Sequence, residues 1–305
     1  MSTVHEFEPT HFHTTIGPHE PVLRVESGDV IRTWTVDSSG YDRNGEDLTP
    51  GGNPQTGPFH LAGAEPGDAL RVRFHSIRPN RVRGVSGSVV AAHTVDPHFV
   101  RRLEEPGEDW WVLDLERGTA ALENPPPGLE SLGELPFEPM LGCFGVAPSG
   151  GQAISCATSG EHGGNMDYRG FQAGVTVDFP VFVEGGLFHL GDGHALQGDG
   201  EIVGTGIEVS MDVEFSLELL KGKTMCWPRA DDGVFVMAVG NARPLDQAVQ
   251  HATTELLRLL EQDYGLDYRA GSALLGQCIR YDVGNVYDPA YTAVAKVEKA
   301  ILERL

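Results

Sequence analysis

Residues 163–208 read GGNMDYRGFQAGVTVDFPVFVEGGLFHLGDGHALQGDGEIVGTGIE. Two alternating apolar runs, Val175–Phe179 and Val181–Val183, sit between glycine-rich segments that carry Asn165 and Asp167 on one side. On the other side come Asp192, His194, Gln197, Asp199, Glu201 and Glu208. Period-two alternation bounded by Gly and Pro marks strands. A hairpin here would return the polar groups of both flanks to one end of a sheet. Glycine between them lets backbone and ligand approach closely. The stretch therefore predicts a β-rich fold with a polar site gathered at strand ends.

Working outward, the same grammar continues. Val22–Val25 and Val30–Trp34, split by Ser27-Gly28-Asp29, predict a hairpin, and Ala69–Phe74 alternates apolar and basic residues as a half-buried strand does. Trp110–Leu115, Ile202–Leu217 and Val234–Val239 follow suit, with 39 glycines and 20 prolines supplying turns. The helical signal comes late. Leu245, Val249, Ala252, Leu256, Leu259 and Leu260 form one stripe, Pro244 fits a helix start, and Gly265 fits its end. Further helices are predicted over 269–275 and 293–304. The expected fold is mainly β, sandwich- or barrel-like, with a smaller C-terminal α/β portion. It forms one unit over 1–305, with a β-rich body to about residue 240 and a helix-containing part over 241–305.

Composition excludes several classes. A net charge of −22, with lysine only at 221, 223, 296 and 299, is the wrong sign for a nucleic-acid partner. No apolar run approaches a membrane span, and residues 1–20 lack a signal-peptide core, so no membrane partner and a cytoplasmic location are expected. Cys143, Cys156, Cys226 and Cys278 form no CxxC pair and read as reduced thiols. His5, His11, His13 and His19 read as a solvated arm.

The segments GGNMD, PVFVEGGLF and GDGHALQGDGE, in this order and spacing, resemble the acetamidase/formamidase family. Asn53–Pro58, Gly63–Asp68, Gly145–Pro148 and Arg280–Pro289, with its Val283-Gly284-Asn285-Val286 and Asp288-Pro289, resemble it too. The resemblance spans about residues 20–295. It implies a β-rich, metal-containing homo-oligomer, a dimer or larger, that releases ammonia from small aliphatic amides. Asp37–Gly40 departs from the family's usual glycine/glutamine continuation, and His60 stands where an aromatic or apolar residue is expected.

An unactivated amide needs its carbonyl polarised, a nucleophile, and a proton for the leaving nitrogen. A serine route at GVSGS (residues 84–88) lacks a lysine partner, and Cys143 in LGCFG reads as a small buried residue beside a turn. A metal route fits better. Asp192 and His194, two apart, share a face of an extended segment, and Asp167 completes a three-ligand set, with His162 as a further metal candidate. Zn²⁺ is the first choice for such a set and Ca²⁺ the second. Metal-activated water would attack the substrate. Glu201 is the expected proton carrier, with Glu65 and Glu208 as further catalytic candidates on positions of the family's motif. Asn165 and Gln197 are expected to bind the substrate amide, since their side chains match its C=O and NH₂. The alternatives are a non-catalytic amide-binding module and a structural metalloprotein braced by Ca²⁺.

Overall fold

The computed structural model describes residues 2–305. Two large sheets face each other across an aromatic core. The larger has nine strands. Val30–Thr35, Met211–Leu220 and Ala69–Pro79 form its middle, and Thr176–Pro180, Arg229–Asp231, Phe235–Ala242, Tyr291–Glu298 and Arg280–Asn285 carry it to one edge. The smaller has six strands, in which Met140–Gly145 lies between Gly163–Asn165 and Phe188–His194. Gln55–Leu61 and Leu23–Val25 continue that sheet. A four-stranded extension includes Arg83–Gly87 and Glu108–Asp114.

Alternation decides what each strand buries. Ala69–Pro79 turns Leu70, Val72 and Phe74 inward and Arg71 and Arg73 outward. Phe144 meets Phe74 and Phe179 edge-on at centroid separations of 5.1 and 5.7 Å, and Phe59 meets Phe215 at 5.3 Å. Such edge-to-face pairs add about 0.5–1.5 kcal/mol each beyond area burial. Both sheets thus share one core, which holds the smaller sheet's strand ends in place.

The C-terminal part extends the larger sheet and lays its helices against it. Helix α1 (Leu245–Tyr264) buries Ala248, Ala252, Leu256, Leu259 and Leu260 and ends at Gly265, whose φ of 69° is left-handed. Helix α2 (Tyr268–Cys278) starts at Asp267, whose carboxylate accepts from the Ala270 amide. The fold is mainly β with a C-terminal helical part.

Three local expectations are corrected. Ser27–Asp29 joins no hairpin: Leu23–Val25 pairs in parallel with Gln55–Leu61 in one sheet, and Val30–Thr35 belongs to the other. Likewise Val175–Val183 contributes one strand, Thr176–Pro180, and the chain then crosses to the other sheet at Phe188. Residues 293–304 are not a helix. Tyr291–Glu298 is a strand, paired on both sides and rich in inward Thr, Ala and Val, and only Lys299–Leu302 turns helical as α3.

Candidate active site

Strand register assembles the site. Cys143 lies opposite Asn165 on one side and Gly191 on the other, and Leu141 opposite Gly193. The intervening Gly142 therefore has Asp192 on one flank. Its carbonyl accepts from the Met166 and Asp167 amides at 2.9 and 3.1 Å, which brings Asp167 to the other flank. A Cβ at Gly142 would fall 2.2 Å from Asp167 Oδ1 and 2.5 Å from Asp192 Oδ2. Only glycine leaves room for both carboxylates over this strand. The polar groups flanking the apolar runs converge through shared pairing with Met140–Gly145, not through the hairpin expected between them.

Two loops add the remaining acids. Glu208 forms backbone bridges to both His194 and Val85. Glu201 follows Gly200, whose amide donates to Val283 O and whose carbonyl accepts from the Val286 amide. Ligand atoms of Asp167, His194 and Glu201 lie within 4.8 Å of one another, and so do those of Asp192, His194 and Glu208. All five residues are buried. Four residues beside the cluster or within it, Asn53, Asp167, Asp192 and Glu201, hold φ between 42° and 63°. Left-handed backbone at non-glycine residues costs about 1–3 kcal/mol each and collects at functional sites.

The electrostatics follow from burial. Four buried carboxylates surround one imidazole, and the partly buried Asp288 joins them through Asn285. Burial, with Glu201 and Asp192 nearby, pushes Asp167 well above the ordinary carboxylate range. Glu201 is raised the same way, by burial first and by the charges of Asp288, Asp192 and Glu208, although His194 opposes the shift. Burial pulls His194 down, but Glu208 and Asp192 outweigh it and raise the imidazole well above its usual value. Burial raises Asp192 too, yet His194 and hydrogen bonds leave it below its usual value.

Amides orient this cluster. His194 Nδ1 lies 2.8 Å from Gln197 Oε1, and Gln197 Nε2 donates to Asp167 O at 2.6 Å. Because Gln197 Oε1 can only accept, Nδ1 carries the proton and Nε2 faces Glu208 Oε1 at 2.8 Å and Asp192 Oδ1 at 3.3 Å. Asn285 Nδ2 donates to Asp167 Oδ2 at 2.9 Å and to Asp288 Oδ2 at 2.6 Å. Asn165 Nδ2 donates to Asp288 Oδ2 at 2.6 Å, and Asn165 Oδ1 accepts from Asn53 at 2.7 Å.

The structure brings together Asp167, Asp192, His194, Glu201 and Glu208, with Asn165 and Gln197 beside them. Gln197 and Asn165, expected to bind substrate, have both ends of their amides engaged by protein. Glu65 stands outside the cluster: its side chain is 71% exposed and accepts from Lys221 at 3.0 Å, in a turn shared with Asp68. His162 is buried outside both ligand groups, beside Gly160 and Gly164. His60 packs against Gly185. Asp37 is buried in an ion pair with Arg81 at 2.6 Å. Nor are the early histidines a solvated arm throughout. His13 exchanges backbone bonds with Gln55, and its ring stacks on His19 at 3.9 Å and lies 6.0 Å from His189.

Sequence reasoning did not assign Gly142, Asn53, Asn285 or Asp288. The last three stand inside segments that carry the family resemblance, which was the available signal.

A model of the acetamidase/formamidase family matches residues 145–247. Among solved structures, a predicted acetamidase/formamidase of Thermoanaerobacter tengcongensis superposes with a TM-score of 0.85 at 29% identity, covering 100% of this chain and 98% of that one. The chain is similar to the acetamidase/formamidase family over residues 145–247 in sequence, and to solved structures of that kind along its whole length. Another structural relative, the acetamidase of Yersinia enterocolitica, gives a TM-score of 0.84 at 29% identity over 99% of this chain and 93% of that one. By sequence, an acetamidase of Mycolicibacterium smegmatis is 32% identical over 148 residues, 46% of this chain and 36% of that protein. The chain thus spans about a third of the length of that relative.

Proposed function

We propose that this protein is a member of the acetamidase/formamidase family and an amidohydrolase that cleaves a small carboxamide, of the formamide or acetamide type, to a carboxylate and ammonia. The reading is carried by Asp167 Oδ1 and Glu208 Oε2, buried carboxylate oxygens without hydrogen-bond partners in two overlapping ligand groups that share His194. Buried carboxylates in such excess over cations need a counter-charge. The donor set fits a divalent cation, which Asp167, Asp192 and His194 would hold, with Glu208 adjoining. When bound, such an ion polarises a carbonyl oxygen and lowers the pKa of water. Zn²⁺ suits the imidazole common to both groups, and Ca²⁺ is second because the other donors are oxygens.

The chain's own groups divide the remaining work. Gln197 fixes the His194 tautomer. Glu201 accepts a proton from water as its oxygen bonds to the carbonyl carbon. It returns that proton to nitrogen as the C–N bond breaks and ammonia leaves. Burial keeps bulk water from competing.

The oxygen-rich donor set also favours a second reading, a Ca²⁺-braced protein without turnover. Ammonia release from formamide, acetamide and benzamide, by wild-type and Glu201→Gln protein supplied with Zn²⁺ or Ca²⁺, separates the two. The amidohydrolase reading expects turnover that the substitution lowers about 10²–10⁴-fold. Absence of ammonia in every condition would leave the structural reading.

A cytoplasmic homo-oligomer completes the proposal. For the compartment, the four cysteines are all unpaired, as a reducing environment keeps them.

A further inference from the structure

A cavity of about 610 Å³ opens between the 37–52 loop and the strands Arg83–Gly87 and Glu108–Asp114. It adjoins the buried acids through two of its lining residues. The Ser38 side chain approaches the Glu208 carboxylate. Val85 exchanges backbone hydrogen bonds with Glu208 at 2.8 and 3.3 Å. Formamide or acetamide would fill little of this space, since cavities of about 300–1,000 Å³ enclose drug-sized ligands.

The lining selects by chemistry. Trp110 and Tyr41 are 36% and 40% exposed, a large aromatic surface beside a catalytic cluster. The Arg83 guanidinium lies 4.0 Å from the Trp110 centroid and is taken by Glu123 in a two-pronged pair at 2.5 and 2.8 Å. The Arg81 guanidinium is taken by Asp37 at 2.6 Å. Both lining cations are therefore spent on protein carboxylates, and Glu108 adds a further negative group. A substrate carboxylate finds no free partner here, whereas a planar uncharged group finds aromatic surface.

We infer that this cavity is the acyl-side subsite, and that the enzyme takes uncharged aromatic carboxamides of the benzamide class in preference to acetamide. The inference rests on the amidohydrolase reading and names the substrate class of that same site. In the reaction water adds to the aryl carbonyl carbon, the C–N bond breaks, and arylcarboxylate and ammonia are the products.

The test is ammonia release by metal-replete protein from acetamide, benzamide, phenylacetamide and succinamate, as wild type, Trp110→Ala and Trp110→Phe. Thermal melting checks that each variant is folded. The expected result is a higher kcat/KM for benzamide than for acetamide, with succinamate poorest. Trp110→Ala should lower the benzamide/acetamide ratio about ten-fold, and Trp110→Phe should restore most of it. Acetamide preferred over benzamide, or a ratio unmoved by Trp110→Ala, would overturn the subsite and leave the amidohydrolase reading standing. Ammonia from no amide would overturn both.

Discussion

His194 gives its Nδ1 proton to Gln197 Oε1 across 2.8 Å, which leaves Nε2 as the atom that faces Glu208 and Asp192. A hydrogen bond to one ring nitrogen fixes which nitrogen is free to ligate, and losing such a partner typically costs 10–100-fold in metal affinity. Gln197→Ala is therefore expected to weaken Zn²⁺ binding by about ten- to a hundred-fold, measured by competition with a chromogenic chelator. An unchanged affinity would mean that Gln197 serves only the backbone of Asp167.

Gly142 makes the second prediction. Its missing side chain is the space in which Asp167 and Asp192 approach each other. Gly142→Ala has to displace at least one carboxylate, and an error of about 1 Å in a catalytic constellation can cost about 100-fold. A loss of that size in kcat/KM is expected, with a stability change of about 1–3 kcal/mol from overpacking. Ammonia release and a urea melt on the same preparation give both numbers.

Cys143 lies one residue away and supplies a control. Burial pushes its thiol well above the ordinary range, with Cys156, Asp192 and Asp167 adding to the shift, so it remains protonated and is a poor nucleophile. Cys143→Ala is expected to keep kcat/KM within about ten-fold of wild type. Native protein should resist alkylation at this position, as followed by peptide mass mapping. A loss of several orders of magnitude would point to covalent catalysis instead.

The site was partly legible in the sequence because two of its signals are local. Asp192 and His194 stand two apart in a strand-like run, and Asp167 and Glu201 sit among glycines that permit unusual backbone angles. What was not legible depends on partners far along the chain. Asn285 reaches Asp167 from 118 residues away, and Asn53 reaches Asn165 from 112. Gln197 and Asn165 advertise amide chemistry, but a sequence does not show that both ends are already engaged. Gly142 has no chemistry to advertise. At the level of fold, alternation located the strands well, as at Ala69–Pro79. It could not tell a turn within one sheet from a crossing between two, hence the misplaced hairpins at 27–29 and 175–183.

Three neutral histidines predict acid sensitivity. Burial lowers His162 to about 4, and burial with neighbouring imidazoles lowers His13 to about 4. Burial lowers His189 to about 3, although its bond to Gly17 O opposes the shift. An unfolded histidine titrates near 6.5, so between about pH 6.5 and 4 the unfolded chain binds protons that the native protein refuses. The contribution of these three histidines to stability should fall as pH drops through that window, against the raised carboxyls and His194 of the cluster, which act in the opposite sense. The loss is of the order of 1–2 kcal/mol at pH 5 for each of His162 and His189, and smaller for the more exposed His13. Urea midpoints at pH 7.5, 6 and 5 test this, and His189→Gln should flatten the trend. A pH trend that is the same in wild type and His189→Gln would contradict it.

The central claim is that the buried Asp/His/Glu cluster hydrolyses a carboxamide with the help of a divalent ion. The most direct measurement titrates Zn²⁺, and separately Ca²⁺, into exhaustively chelated protein while recording ammonia release and bound metal together. The account predicts activity near zero without metal, rising in proportion to the ion bound and absent in His194→Ala at every loading. Full turnover with no metal bound would contradict it.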